Sequence, residues 1–125
     1  MSSERRILMV EDDPEQAMLF GHVLKTSGYQ VDRVATAEEA ETSLDATPYD
    51  LLLADWALPK MQGDELIRLV KVQHPGLKTL LFSNHADVDK AAAEVGADAW
   101  LRKIEGVHQL RETIRELLSS DAHHD

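Results

Sequence analysis

The chain has 125 residues, 43% of them apolar, which is the length of one domain with enough apolar content for a core. Its formal charge of -10 disfavours direct contact with nucleic acid, whose phosphates need Lys and Arg, and the absence of cysteine excludes disulfides, thiol catalysis and thiolate metal sites. No apolar run is long enough to span a bilayer, and the stretch Met1 to Arg6 has no apolar signal segment, so no membrane contact and a cytoplasmic setting are expected.

Ile7-Leu8-Met9-Val10 is an apolar run of strand length, closed by Glu11, Asp12 and Asp13. Pro14 suits the first turn of a helix with Asp13 as its N-cap; the helix is expected to reach about Ser27, with Gly28 after it, and to bury Ala17, Phe20 and Leu24. Met18 and Leu19 point away from that stripe, so this helix carries more apolar surface than its core needs. Tyr29 to Val34 reads as the second strand. Thr36-Ala37-Glu38-Glu39 matches a capping box and opens a helix with Ala37, Ala40 and Leu44 inward, ending near Thr47-Pro48. A third strand is expected from Asp50 to Ala54, a helix from about Asp64 to Gln73, and a fourth strand from Thr79 to Ser83. Val88, Ala91, Ala92 and Val95 form the stripe of a fourth helix that Gly96 ends. Asp98 to Arg102 is a short fifth strand, and Val107, Leu110, Ile114 and Leu117 are the stripe of a fifth helix. The small, polar stretch from Ser119 to Asp125 reads as a disordered tail, paired His123 and His124 included, so one domain over 1–125 with a core over about 6–118 is expected.

Five strand–helix alternations with short connections argue for an α/β sandwich built on a parallel sheet, and they are too few for an eight-stranded barrel. Right-handed crossovers place every strand-to-helix loop at one edge of that sheet. Asp55 appears where the apolar run Leu51-Leu52-Leu53-Ala54 stops, with Pro59 and Gly63 shaping the loop after it. The first strand brings Glu11 and Asp12 to the same edge, the fourth Ser83, and the fifth is followed by Lys103. If the first and third strands are neighbours, three carboxylates converge, and a hard divalent cation such as Mg²⁺ relieves their repulsion. Asp55 is then a nucleophile that needs no general base and can attack phosphorus, with Lys103 and the Ser83 hydroxyl contacting the phosphoryl oxygens. Alone, the acids read as a helix N-terminus favoured by the macrodipole, and Ser83 and Lys103 as ordinary surface residues; Asp13 remains a cap.

In this arrangement the chain resembles a response-regulator receiver domain of two-component signalling, the family of the bacterial chemotaxis regulator. The resemblance covers roughly Arg6 to Leu118. It rests on Ile7 to Asp13, on Asp55 with Pro59 and Gly63, on Leu81-Phe82-Ser83, and on Gly96 to Lys103, in order and at the family's spacing. It implies a doubly wound, flavodoxin-like sheet of order 2-1-3-4-5. It implies metal binding by Glu11, Asp12, Asp55 and the Ala57 backbone carbonyl, and phosphate acceptance by Asp55. Ser83 matches the switch hydroxyl, Lys103 the phosphoryl-binding lysine and Trp100 the aromatic switch. The implied partners are a sensor histidine kinase or histidine phosphotransfer protein, and a downstream protein met by the fourth helix, fifth strand and fifth helix. Such a protein is an acceptor that loses its phosphate again, not a turnover enzyme.

Four residues depart from the family pattern. Ile104 follows the lysine where proline with a cis bond is usual, so a trans Lys103-Ile104 peptide is expected. Asn84 follows the switch hydroxyl where a small residue is usual, Trp100 is larger than the common tyrosine or phenylalanine, and Lys60 replaces a frequent glycine. His22, His74, His85 and His108 read as surface residues, His85 beside the site mouth. Three other readings stay open. A Mg²⁺-dependent phosphatase would turn over phosphate esters, but Ala57 stands where its general acid should be. A nucleotide- or flavin-binding domain would want a Gly-rich loop after the first strand. A pseudo-receiver scaffold would lack the acid, serine and lysine set. The chain carries no output domain, so it is read either as a complete short protein, which its start favours, or as a receiver cut from a longer regulator.

Overall fold

A computed structural model describes residues Glu4 to Ala122, with side chains as far as Ser119. The elements run β1 Arg6–Val10, α1 Pro14–Thr26, β2 Gln30–Val34, α2 Ala37–Ala46, β3 Leu51–Asp55, α3 Gly63–Gln73, β4 Lys78–Phe82, α4 Val88–Val95, β5 Ala99–Leu101 and α5 Gly106–Ala122. All strand pairs are parallel, in the order β2-β1-β3-β4-β5. This is the doubly wound sandwich that the resemblance implies.

Side-chain alternation divides the core into two layers. Ile7, Met9, Leu51, Leu53, Leu80 and Phe82 pack against α1 and α5 through Phe20, Leu24, Leu110 and Ile114. Leu8, Val10, Leu52, Ala54 and Leu81 face α2, α3 and α4 through Ala40, Leu66, Ile67, Val88 and Ala92. Both faces of β1 and β3 are covered, which is why they are continuous apolar runs. The expected caps form: Asp13 accepts the Glu15 N–H at 2.9 Å, Thr36 Oγ1 accepts the Glu39 N–H at 3.1 Å, and Gly96 ends α4 at φ 76°. At the outer end of β5, Asp98 accepts the Thr79 N–H at 2.8 Å and pairs with Lys71 at 3.2 Å, so buried Thr79 has its partner.

Several element ends differ from the sequence reading: β2 begins at Gln30, β4 is Lys78–Phe82, one residue earlier at both ends, and β5 is Ala99–Leu101, one residue shorter at both ends. The third strand starts and ends one residue later, because the Asp50 carboxylate turns aside to accept the Arg6 N–H at 2.8 Å. At its other end the Trp56 N–H donates to the Phe82 carbonyl at 3.0 Å, which keeps Asp55 within the ladder. In α5, Leu118 and not Leu117 completes the fully buried stripe with Leu110 and Ile114, at a spacing of one turn plus a fraction; Leu117 and Val107 are half-buried. The helix also runs on to Ala122, through part of the stretch read as a tail, while His123, His124 and Asp125 lie outside the described residues.

Two loop residues fix the chain after β3. A Cβ on Gly63 would lie 2.0 Å from the Asp55 carbonyl oxygen and 2.8 Å from its carbon, so the first turn of α3 sits directly on the backbone of Asp55. Lys60 has φ 64°, the left-handed region that glycine occupies without strain. Gly63→Ala is expected to lower the unfolding free energy by about 2–3 kcal/mol in urea titration, since backbone stands on both sides of the clash. An unchanged midpoint would mean that α3 slides outward freely. In the same titration Lys60→Gly is expected to gain about 0.5–1 kcal/mol, and a loss would show that the Lys60 side chain contributes more than its backbone costs.

Candidate functional site

The β1–β3 register pairs Val10 with Ala54, so the next residues, Glu11 and Asp55, come side by side at the carboxyl ends of the two central strands. Alternation from Met9 and Leu53 turns both toward the α1/α5 layer. Their side chains are only 3% and 8% exposed. Lys103 lies between them, its Nζ 3.0 Å from Glu11 Oε1 and 3.2 Å from Asp55 Oδ2. The ammonium also donates to Gln16 Oε1 of α1 and stands 5.6 Å from the Phe82 ring centroid. Glu11 is held at its other oxygen by the Asp13 N–H at 3.2 Å, and its backbone carbonyl accepts Arg33 Nε–H at 2.9 Å.

Asp12 is exposed, yet one carboxylate oxygen from each of Glu11, Asp12 and Asp55 falls within a set spanning no more than 4.8 Å. Three carboxylates sharing one ammonium leave two negative charges uncompensated. The donors are all hard oxygens, and bringing them onto a Mg²⁺ ion, with bonds of about 2.0–2.1 Å, takes only side-chain adjustment. The residues therefore fit a hard divalent cation. Burial pushes the Asp55 carboxyl up from 3.8 to about 6; the Lys103 ammonium pulls against this and the Glu11 carboxylate adds to it.

On the other side of β3 an open cleft of about 390 Å³ is lined by Trp56, Ala57, Gln62, Asp64, Glu65, Ser83 and His85. Ser83 is buried at the end of β4, and its Oγ accepts the His85 N–H at 3.0 Å, leaving the hydroxyl hydrogen to donate. His85 stacks edge-on to Trp56 with centroids 4.8 Å apart, and its Nδ1 accepts the Asp87 N–H at 3.0 Å. Glu11, Asp12, Asp55 and Lys103 are thus brought together, with Ser83 and Ala57 at the adjoining cleft. Trp100 is not brought in: it is 39% exposed, with the Arg102 guanidinium 5.0 Å over its ring. The Lys103-Ile104 peptide is trans, since the described residues contain no cis bond, and Lys103–Glu105 forms a 3-10 turn. Gln16, Arg33 and Trp56 were missed by sequence reasoning, and nothing in their spacing sets them apart from surface or core residues.

Fold and cluster together define a doubly wound, flavodoxin-like domain with an acidic, lysine-bridged site at the carboxyl edge of its central strands. The family model of the response regulator receiver domain matches residues 7–115, and the chain belongs to that family, the receiver domains of two-component signalling. Among curated relatives, the transcriptional regulatory protein BasR of Escherichia coli is 37% identical over 117 residues, covering 90% of this chain and 52% of BasR. The sensor kinase CckA of Brucella abortus is 30% identical, over 94% of this chain and 13% of CckA. The chain thus spans about half the length of the first relative and a small part of the second. A response regulator receiver domain protein (CheY-like) from Methanospirillum hungatei superposes with a TM-score of 0.91 at 30% identity, over 98% of this chain and 100% of the other. The receiver domain of a signal transduction histidine kinase from Syntrophus aciditrophicus gives 0.88 at 31% identity, over 97% and 95%. No helix among the described residues is long and apolar enough to cross a membrane.

The raised Asp55 value has a thermodynamic consequence. The folded state holds the proton more tightly than the unfolded chain, so this contribution to stability is complete below about pH 4 and is lost as pH rises to about 6. In metal-free buffer the unfolding free energy should fall across that interval by on the order of 1–2 kcal/mol, allowing for solvent around a partly open site. Asp55→Asn should lack the step and be the more stable protein at neutral pH. Parallel profiles for the two proteins would mean that Lys103 offsets the burial in full.

Proposed function

We propose that the chain is a phosphoacceptor receiver in which Asp55 takes a phosphoryl group from the phosphohistidine of a sensor histidine kinase or a histidine phosphotransfer protein. The single observation that carries this reading is the buried Asp55 carboxylate, bridged to Glu11 by the Lys103 ammonium at the strand ends. Asp55 supplies the nucleophile: an O–P bond forms at its carboxylate, and the P–N bond of the donor breaks with its electron pair left on the ring nitrogen. With a value of about 6, Asp55 is mostly ionised at neutral pH and needs no base. Lys103, already 3.2 Å from the attacking group, is placed to follow the charge as it moves onto the phosphoryl oxygens. The Ser83 hydroxyl, with its hydrogen uncommitted, is the candidate donor from the cleft side.

Glu11, Asp12, Asp55 and the Ala57 carbonyl are the groups proposed to hold Mg²⁺, which when bound supplies charge neutralisation to both the carboxylates and the phosphoryl oxygens. Residues 1–125 act in this reading as a single receiver unit in the cytoplasm, an acceptor whose phosphate is later lost to water. The output is a change in protein contacts across α4, β5 and α5, where Trp100 lies as the candidate switch. A relative named as a sensor kinase and another named as a transcriptional regulatory protein support a kinase upstream.

Intact mass after incubation with a small phosphodonor tests the reading. One Mg²⁺-dependent phosphoryl adduct is expected on the wild type and none on Asp55→Asn. A folded wild type that binds Mg²⁺ yet takes no phosphoryl group would sink it. Lys103→Met should keep the site but slow the reaction by about 10²-fold, the loss usual for one preorganised charge at a transition state.

A further inference from the structure

Four hydrogen bonds lace the loop after β4 to the end of β5 and the loop after it. The Ser83 N–H donates to the Leu101 carbonyl at 3.1 Å and the Lys103 N–H to the Ser83 carbonyl at 3.2 Å, which continues the strand ladder past both strand ends. The third is of a different kind: the Ile104 N–H donates to the side-chain Oδ1 of Asn84 at 2.7 Å. A side chain here takes over the ladder where the two backbones part. From the same turn Arg102 reaches back to the Ala86 carbonyl at 2.8 Å.

The Ile104 side chain is 82% exposed, so its own packing does not anchor this turn. Hydrogen bonds do, and beside those of Lys103 and Arg102 and the Glu105 N–H to Arg102 carbonyl bond inside the turn, the Ile104 N–H is the one held by a side chain. The residue just before Ile104 is Lys103, whose long, flexible stem ends between Glu11 and Asp55. Where that ammonium stands depends on where the turn holds its Cα, because four rotatable stem bonds give no direction of their own. Alanine at position 84 would offer no acceptor. Aspartate would offer one, together with a further negative charge beside the acidic cluster.

We propose that Asn84 is a positioning residue for Lys103: by accepting the Ile104 N–H it fixes the 3-10 turn that carries the ammonium to Asp55. The geometry stands independently, while its consequence for phosphoryl transfer rests on the phosphoacceptor reading. Asn84 acts through the lysine and is not itself required to touch the phosphoryl group.

Two measurements on the full chain test this and separate it from that reading. In the first, amide hydrogen exchange and a crystal structure of Asn84→Ala are compared with wild type. Exchange at Ile104 should quicken by about tenfold with β4 and β5 amides unchanged, and Lys103 Nζ should leave Asp55; Asn84→Asp should restore the Ile104 protection. In the second, the rate of modification by a small phosphodonor at saturating Mg²⁺ should drop about tenfold in Asn84→Ala, as expected of a displaced catalytic group. In a Lys103→Met background the same substitution should change the rate by less than about twofold. A double variant slowed by the product of the two single effects, or a single variant with wild-type rate, overturns the proposal. If the wild type takes no phosphoryl group, the phosphoacceptor reading falls. The first measurement then decides alone, and Lys103 still in contact with Asp55 in Asn84→Ala overturns the positioning role.

Discussion

Two buried carboxylates, Glu11 and Asp55, share one ammonium, and the domain is arranged to keep them close at the expense of their mutual repulsion. In water such a pair would separate. Here each is the next residue after the Val10–Ala54 pairing, in a register where alternate side chains of both strands are fitted to different helix layers, so that a one-residue shift would exchange the two packed sets. The sheet core thus supplies the force that holds the charges together, and Lys103 supplies the partial compensation. With exposed Asp12 counted as the third carboxylate, two net negative charges remain and make the site receptive to a divalent cation, while burial above all keeps the Asp55 carboxyl raised.

The strain extends outward from that cluster. Gly63 lets the first turn of α3 lie against the Asp55 backbone, and Lys60 accepts a left-handed conformation so that the loop can return in time. Lys60 is the unfavourable choice for stability, whereas Gly63 is what the close approach requires, and both lie within eight residues of Asp55 in the chain. Local cost next to a site whose geometry is over-determined by the core is a common trade in functional regions. On the far side of the sheet, Arg102 lies over the Trp100 ring and donates to the Ala86 carbonyl, so the tryptophan, the β4–α4 loop and the lysine-bearing turn are joined through one guanidinium.

Much of this was legible in the sequence, for a physical reason. Strands covered on both faces must be continuous apolar runs, and their ends are visible as the first charged residue; this located Glu11, Asp12 and Asp55 and the strands that bear them. Helix stripes and caps such as Asp13 and Thr36 are equally local. What was hidden depends on neighbours remote in the chain. The placement of Asp55 inside the strand follows from a bond between Trp56 and Phe82. The choice of Leu118 over Leu117 follows from how α5 rolls on the sheet. Asn84 and Ile104 each looked like an isolated departure from the family pattern, and only the fold shows that one accepts what the other donates. Gln16 gave no sign at all, since a polar residue in a first helical turn is ordinary until a lysine from the other end of the domain reaches it.

The distance along the chain between Lys103 and its partners has a consequence for biogenesis. Lys103 meets Glu11 across a separation of 92 residues, the longest reach of any contact in the cluster. A nascent chain that has released β1 to β4 but not the turn after β5 already holds the three acids and has no ammonium to balance them. Synthesis from the N-terminus therefore builds the electrostatically costly half of the site first, and relief arrives with nearly the last fifth of the domain. Until then the repulsion among the acids works against the apolar pairing of β1 with β3 at this edge, and the cluster gains its counter-charge only when the turn after β5 is in place.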